Sequence, residues 1–205
     1  MSQVTWILDL DRCVGCQTCT VACVSENNTP PVGSPLVVRN MDVAERTTYR
    51  WVVFDEGGSY PNPFRRFISM SCNHCADPAC MKACPVDAIT KRTTDGIVLI
   101  DEALCVGCRR CAGACPYGAP QFNRLTGKVE KCTFCVHRMG ADAGSSPLQP
   151  ACVSTCVGRA LHFEVGPGPV TTHGDVPDGF SPTHFTRPSI RFETIGPIPQ
   201  PGEGD

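Results

Sequence analysis

The sequence predicts an α+β fold in which two small modules of similar architecture are related by pseudo-twofold symmetry. The sixteen cysteines of this 205-residue chain fall into four tight blocks of four. A unit of strand, cysteine block, short helix and hairpin recurs about four times along the chain. The composition also changes in residues 25–65 and in residues 166–205. These observations predict two modules, an inserted hairpin region and an extended C-terminal tail.

The strands are predicted from short apolar runs beside turn residues. Ala88–Lys91 and Ile97–Asp101, with a glycine-containing turn between them, indicate a hairpin that joins the second cysteine block to the third. Trp6–Asp11, before the first block, repeats the second strand of this hairpin. Gly158–Phe163, after the fourth block, repeats the first strand. The two ends of the chain are therefore expected to complete one module together.

The repeat also predicts the domain boundaries. One module comprises residues 1–24 plus 129–165, and the other comprises residues 66–128. The insertion, residues 25–65, contains a predicted strand at Tyr49–Phe54 that is expected to pair with Phe67–Met70. Residues 166–205 are rich in Pro, Gly and Thr and have few aliphatic side chains, so they cannot bury a core of their own. We expect this tail to lie extended on a partner protein.

The cysteine spacing predicts metal clusters. In chain order, the blocks are Cys13–Cys23, Cys72–Cys84, Cys105–Cys115 and Cys132–Cys156. Blocks one and three have the spacing C-x₂-C-x₂-C-x₃-C, which lets three thiolates hold one cubane while the fourth points to a neighbouring cluster. Gly15 and Gly107 fit the tight loops, and Pro85 and Pro116 follow the fourth cysteines of blocks two and three. Sixteen cysteines suffice for four [4Fe–4S] clusters.

Analogy with two-cluster ferredoxins predicts which cysteines share a cluster, and hence two ferredoxin-like two-cluster modules. The predicted ligand sets are Cys13, Cys16, Cys19 and Cys156; Cys132, Cys135, Cys152 and Cys23; Cys72, Cys75, Cys80 and Cys115; and Cys105, Cys108, Cys111 and Cys84. Structural zinc also uses C-x₂-C pairs, and a disulfide scaffold uses even numbers of cysteines. The x₂, x₂, x₃ spacing followed by proline favours cubanes over both.

Basic and histidine side chains near the blocks have two interpretations. His74 is either a residue that tunes a cluster or a packed loop residue. Positive charge near cluster sulfur raises the reduction potential, whereas the same residues on a solvated face have no such effect. The basic candidates are Lys82, Arg109, Arg110, Lys131 and Arg138.

Several functions are excluded or disfavoured by composition. The formal net charge is −2, and four oxidised clusters with their thiolates would bring it to about −10, so no nucleic-acid partner is expected. The longest apolar runs, such as Gly96–Ile100, are too short to cross a bilayer. The chain shows no nucleophile–base pair and no phosphate loop, so we expect no catalysis by this protein alone. The first residues lack the features of an export signal, which predicts a cytoplasmic location unless a partner carries the signal.

Three stretches of the sequence carry a resemblance to a known family. They are the second block, Ser71-Cys72-Asn73-His74-Cys75-Ala76-Asp77-Pro78-Ala79-Cys80; the run from Asp95 through Cys105-Val106-Gly107-Cys108-Arg109 to Pro120; and the tail string His184-Phe185-Thr186-Arg187-Pro188-Ser189-Ile190. All three are similar to stretches of the iron–sulfur (beta) electron-transfer subunits of the dimethyl sulfoxide reductase family of molybdopterin oxidoreductases. One departure is Val157, which follows Cys156 where proline is common.

The resemblance implies a place in a larger enzyme. This chain would relay single electrons between a large catalytic subunit with a molybdenum or tungsten pterin cofactor and a quinone-reactive membrane-anchor subunit. The complex would be membrane-associated and extracytoplasmic through co-export with its partner, or cytoplasmic if it is not exported. The alternatives are a free-standing polyferredoxin and the iron–sulfur subunit of a formate dehydrogenase or hydrogenase complex.

Overall fold

The structure is a computed structural model, and it describes residues 2–29, 48–167, 176–177, 180–181 and 184–193. Residues 30–47 of the predicted insertion and most of the predicted tail lie outside the described residues. No helix in the described part of the chain combines the length and the apolar character needed to span a bilayer.

A three-stranded sheet brings the two ends of the chain together. Strand β1 (Ser2–Asp9) lies in the middle of this sheet, and six of its eight residues are buried. It pairs antiparallel with β8 (Leu161–Pro167), with Trp6 opposite Phe163. A continuous buried run is expected for a strand that is covered on both faces. The predicted strands at the start of the chain and after the fourth block are confirmed, and they pair with each other.

The third strand of this sheet comes from the predicted tail. Strand β9 (Ile190–Glu193) runs parallel to β1, and Ile190 and Phe192 are 2% and 1% exposed. The expectation that residues 166–205 lie extended on a partner is therefore not met by this segment, which is a strand of the protein's own sheet. Apolar and charged residues alternate along β9, as in a half-buried strand. That short pattern is hidden when composition is averaged over the whole tail.

The predicted pairing within the insertion is confirmed, and the hairpin is longer than expected. Strand β2 (Arg50–Ser59) pairs antiparallel with β3 (Asn62–Ser71), and Phe54 lies opposite Phe67. The predicted boundary between residues 65 and 66 falls inside β3, so the hairpin leads without a break into Cys72.

Two short hairpins and five short helices complete the described fold. Strands β4 (Ile89–Lys91) and β5 (Val98–Ile100) form the predicted hairpin between blocks two and three. A matching hairpin, β6 (Gln121–Asn123) and β7 (Lys128–Glu130), follows block three. The helices are α1 (Thr18–Asn27), α2 (Ala79–Lys82), α3 (Arg110–Ala114), α4 (Val136–Met139) and α5 (Ala151–Ser154).

Cysteines are part of both apolar clusters in the described residues. The larger cluster surrounds Trp6, Phe134 and Met139 and includes cysteines from blocks one, two and four. The smaller cluster surrounds Ile89 and Val98 and includes cysteines from blocks two and three. Because thiols occupy positions that aliphatic side chains fill elsewhere, the fold and the candidate metal sites share the same core.

Candidate metal centres

Three pockets of the protein are each lined by four cysteines that come from two different blocks. The pockets have volumes of about 360, 290 and 350 Å³, and we name them pockets A, B and C. Pocket A contains Cys13, Cys16, Cys19 and Cys156; pocket B contains Cys23, Cys132, Cys135 and Cys152; pocket C contains Cys72, Cys75, Cys80 and Cys115. Every cysteine of the protein is a free thiol.

The remaining four cysteines, Cys84, Cys105, Cys108 and Cys111, are named group D. Cys105 and Cys108 lie close enough to Cys111 to raise its pKa, although burial has the larger effect. Cys84 packs against the apolar cluster that contains Cys105 and Cys111. The structure thus places the members of group D in one region, and three of them are in electrostatic contact.

The loop between the first two cysteines has one residue with a positive φ at the same position in all four blocks. The residue before the second cysteine has a positive φ in each: 65° at Gly15, 41° at His74, 69° at Gly107 and 60° at Phe134. A Cβ at Gly15 would overlap the ring of Phe67, and one at Gly107 would overlap a backbone carbonyl. Glycine is therefore required in blocks one and three. In blocks two and four the same position is occupied by His74 and Phe134, whose rings are buried. Their left-handed backbone conformation costs about 1–2 kcal/mol per residue.

Backbone amides also donate to the fourth cysteine of several blocks. The N–H of Ala88 lies 3.3 Å from the sulfur of Cys84, and the N–H of Ala160 lies 3.3 Å from that of Cys156. Each alanine is four residues beyond its cysteine and is 1% exposed. Such hydrogen bonds stabilise a thiolate over a thiol, which is the form that binds iron.

One pair of helices joins pocket A to pocket B. Cys19 of pocket A and Cys23 of pocket B are both on α1, one turn apart and on the same face. Cys152 of pocket B is on α5, and Cys156 of pocket A follows that helix. Helix α1 packs against α5. Helix α1 supplies one thiol to each pocket, and so does α5 together with the residues that follow it.

The second pair of helices repeats this arrangement between pocket C and group D. Cys80 is on α2 and Cys84 follows it, whereas Cys111 is on α3 and Cys115 follows it. Burial raises the pKa of Cys80 to about 12, and the nearby Cys111 contributes to that increase. Pocket C and group D are therefore neighbours.

Pockets B and C meet across the loops of blocks two and four. Burial raises the pKa of Cys132 in pocket B to about 12, and Cys72 of pocket C adds to the effect. The rings of His74 and Phe134 contact each other edge to face, with centroids 5.5 Å apart. The four sets of cysteines consequently follow one another in the order A, B, C, D.

Two buried cations lie beside these pockets. Arg50 is 1% exposed and lines pocket B, whereas Lys131 is 3% exposed and lines pocket C. Lys131 donates to the carbonyl oxygens of Val98 and Cys132. The sequence identified Lys131 as a candidate but missed Arg50, because an arginine at the start of a strand carries no signal of burial.

The other basic candidates have partners outside the cysteine sets or face solvent. Arg110 is exposed. Lys82 pairs with Asp77, Arg109 stacks on Phe122, and Arg138 pairs with Glu26.

His74 is a packed loop residue. It is 1% exposed, and its Nδ1 accepts a hydrogen bond from the N–H of Val98 at 3.1 Å. Burial holds its pKa well below the usual range, so the ring is neutral. With Nδ1 accepting, the neutral ring carries its proton on Nε2.

The donor sets fit clusters better than single metal ions. Four thiolates around one zinc ion lie about 3.8 Å apart, since tetrahedral Zn–S bonds are about 2.3 Å long. No group of three or more His, Cys, Asp or Glu side chains among the described residues is arranged to hold a single metal ion. The all-thiolate pockets are suited to the wider [4Fe–4S] core. Because burial raises the pKa of Cys75 to about 12, its thiol must lose a proton when it binds iron.

Comparison with known proteins agrees with this geometry. Residues 64–166 match the family model of the 4Fe-4S dicluster domain. The protein is 38% identical to a chain of the anaerobic dimethyl sulfoxide reductase of Escherichia coli, over 92% of its own length and 87% of the relative. It is 44% identical to a subunit of the tetrathionate reductase of Salmonella typhimurium, over 75% of its own length and 54% of the relative. It is 35% identical to a subunit of the selenate reductase of Mesobacillus selenatarsenatis, over 80% of its own length and 61% of the relative.

These relatives are electron-transfer subunits of reductase complexes, not catalytic subunits, and a free-standing polyferredoxin is not favoured. The expectation that this protein has no active site of its own agrees with them. The protein belongs to the family of iron–sulfur electron-transfer subunits of dimethyl sulfoxide reductase and related molybdopterin oxidoreductases.

Proposed function

We propose that the protein is a four-cluster relay in which pockets A, B and C and group D each hold one [4Fe–4S] cluster through their four cysteines. The observation that carries this proposal is that three separate pockets are each lined by four free thiols from two blocks. When bound, each cluster supplies a site that takes up and gives back one electron.

The same pairing supports a pseudo-twofold relation between two ferredoxin-like modules. Blocks one and four contribute to pockets A and B, whereas blocks two and three contribute to pocket C and group D. The contact between His74 and Phe134, which occupy equivalent loop positions, lies where the two modules meet. The bounds expected from the sequence, residues 1–24 plus 129–165 and residues 66–128, each fall inside an element (α1, β3, β7 or β8), so on this proposal the modules extend to the ends of those elements.

The relay runs from pocket A through B and C to group D. Its two ends are the parts that approach the surface: Cys16 in pocket A and Cys108 in group D are exposed, whereas Cys135 in pocket B is buried. Val14 and Val106, beside the exposed cysteines, are 61% and 63% exposed. An apolar surface around an accessible redox site favours docking of a partner protein at each end.

We assign these ends to two partners. One is a large catalytic subunit with a molybdenum or tungsten pterin cofactor, and the other is a membrane-anchor subunit that reacts with quinone. Relatives of this protein are named as parts of dimethyl sulfoxide, tetrathionate, selenate and perchlorate reductases. Because similar subunits serve enzymes with different substrates, we assign substrate binding to the catalytic subunit. We place the complex on the extracytoplasmic side of the membrane through co-export, or in the cytoplasm if the catalytic subunit is not exported.

Metal analysis tests the cluster count. Protein purified anaerobically is expected to contain about sixteen iron and sixteen sulfide per chain. Zinc without sulfide would contradict the proposal, and about eight iron would contradict the count of four clusters.

Co-purification tests the partner. A tagged form of the protein is expected to retain a large molybdopterin protein when it is isolated from cells that express both. A monomer that reduces many unrelated acceptors would instead identify a free carrier.

A further inference from the structure

Arg50 is enclosed between pockets A and B. Its guanidinium group lies over the ring of Trp6, 4.3 Å from the centroid, and its Nη2 donates to the hydroxyl of Ser71 at 2.9 Å. Its Nη1 donates to the hydroxyl of Ser69 at 3.0 Å. That hydroxyl also lies 3.4 Å from the sulfur of Cys19 in pocket A. Arg50 therefore lines pocket B directly and reaches pocket A through Ser69.

The charge of Arg50 has no carboxylate partner among the described residues. A buried cation without a counter-charge is strongly unfavourable, so a negative group is expected nearby. The groups that surround Arg50 are cysteines of both pockets. Arg50 lines pocket B together with Cys23, Cys132 and Cys152, and the Ser69 hydroxyl links it to Cys19 of pocket A.

The hydrogen bonds of Arg50 to the two serines use its Nη1 and Nη2 atoms and not its Nε atom. Its Nε has no hydrogen-bond partner in the described part of the protein. A buried donor that lacks a partner is costly, and cluster sulfur accepts such bonds. The contacts with serine hydroxyls and the Trp6 ring hold the guanidinium in place without neutralising it.

We propose that Arg50 sets the reduction potentials of the clusters in pockets A and B by placing one fixed, buried positive charge between them. The proposal rests on the four-cluster function above. Reduction of a cluster adds one electron and breaks no bond, so the charge of cluster and thiolates changes from about −2 to about −3. A nearby cation stabilises the more negative state and raises the potential of both clusters. Electron transfer between pockets A and B therefore takes place at higher reduction potentials than it would without Arg50.

Substitution of Arg50 tests the proposal in the complete protein by redox titration monitored by electron paramagnetic resonance. Arg50→Met removes the charge and keeps an unbranched apolar side chain. It is expected to lower two of the four potentials, with at least a tenfold fall in the ratio of reduced to oxidised cluster at a fixed potential. A tenfold change corresponds to 59 mV for one electron.

Two matched variants separate charge from packing. Arg50→Lys keeps the charge but loses the planar fork, and it is expected to change that ratio less than threefold. Arg65→Met removes a charge from the exposed part of β3, where the arginine side chain is 60% exposed and pairs with Glu56. It is expected to leave all four potentials unchanged. Equal shifts in Arg50→Met and Arg50→Lys would overturn the proposal, because they would identify a packing effect.

A milder variant tests the proposal if Arg50→Met fails to assemble. Arg50→Gln removes the charge and keeps a side-chain amide that donates hydrogen bonds, and it is expected to lower the same two potentials while the iron content stays at the wild-type value. Unchanged potentials in Arg50→Gln, or in a fully loaded Arg50→Met protein, would overturn the proposal. A wild-type protein without the expected iron would instead contradict the four-cluster function itself.

Discussion

Trp6 donates its indole N–H to the backbone carbonyl of Cys72 at 3.0 Å, across 66 positions of the sequence. Trp6 is on the central strand of the terminal sheet, and Cys72 is the first cysteine of pocket C. The ring of Trp6 also packs against the ring of Phe134, with centroids 4.2 Å apart, and lies under the guanidinium group of Arg50. One side chain therefore joins the part of the fold that forms pocket B to the part that forms pocket C.

Trp6→Phe is expected to destabilise the protein by about 2 kcal/mol, because it leaves the buried carbonyl of Cys72 with only the longer hydrogen bond from the Ser71 hydroxyl and because the smaller ring leaves a cavity. Loss of clusters makes unfolding irreversible, so stability is measured as a half-life at elevated temperature. A loss of 2 kcal/mol in the barrier shortens that half-life roughly 30-fold. Tyr60→Phe, at a residue that is 94% exposed, is the control and should have no effect. Equal half-lives of Trp6→Phe and the wild type would contradict the prediction.

The ion pair of Glu26 predicts a dependence of stability on pH. His137 Nε2 and Arg138 Nη1, both on α4, each lie 2.7 Å from a carboxylate oxygen of Glu26 on α1. The hydrogen bond from His137 is the largest cause of the lowered pKa of Glu26. A lowered pKa in the folded state adds stability above the unfolded value of 4.5, and this stability is lost as the pH falls through the folded value.

Glu26→Gln is therefore expected to cost up to about 1 kcal/mol at pH 7, since the pair is partly exposed. The ratio of wild-type to variant half-life should fall towards one as the pH drops below 4.5 and through the lowered folded pKa of Glu26. A ratio that does not change as the pH is lowered from 7 through this range would show that the carboxylate charge is irrelevant.

Gly15→Ala tests the loop geometry of pocket A. The φ of 65° disfavours any side chain, and the added methyl group would overlap the ring of Phe67. We expect the variant to lose about four of sixteen iron ions and one electron paramagnetic resonance signal. Gly113→Ala is the matched control, because Gly113 is on α3 with nothing within 4 Å of the new Cβ. Full iron in Gly15→Ala, or equal loss in both variants, would contradict the prediction.

The shared pockets are tested with three cysteine variants. Cys23→Ser and Cys132→Ser are expected to alter the same signal, because both residues line pocket B despite their distance in sequence. Cys19→Ser, one helical turn from Cys23, should alter a different signal because Cys19 lines pocket A. If Cys19→Ser and Cys23→Ser changed one common signal, the clusters would follow the blocks and not the pockets.

The sequence predicted those features that depend on local spacing. The cysteine blocks, the loops at Gly15 and Gly107 and the hairpins follow from local steric rules, because short spacings allow few conformations. The pairing of β1 with β8 followed from a repeat, which is also visible in sequence.

Features that depend on distant contacts were not predicted. Strand β9 is short, and Ile190 and Phe192 are buried only because β1 offers a free edge. Arg50 is buried by cysteines of blocks one and four and by the ring of Trp6, near the start of the chain. No local pattern contains that combination.

The assignment of pockets to both ends of the chain fixes an order of assembly during synthesis. All the cysteines of pocket C and group D have been synthesised by Cys115, whereas pocket B needs Cys152 and pocket A needs Cys156. At ribosomal rates of about 5–20 residues per second, the thiols of block one wait on the order of ten seconds for their partners. The half of the relay formed by pocket C and group D therefore has its full set of thiols first, and block one is the segment that needs protection from oxygen and stray metal during synthesis.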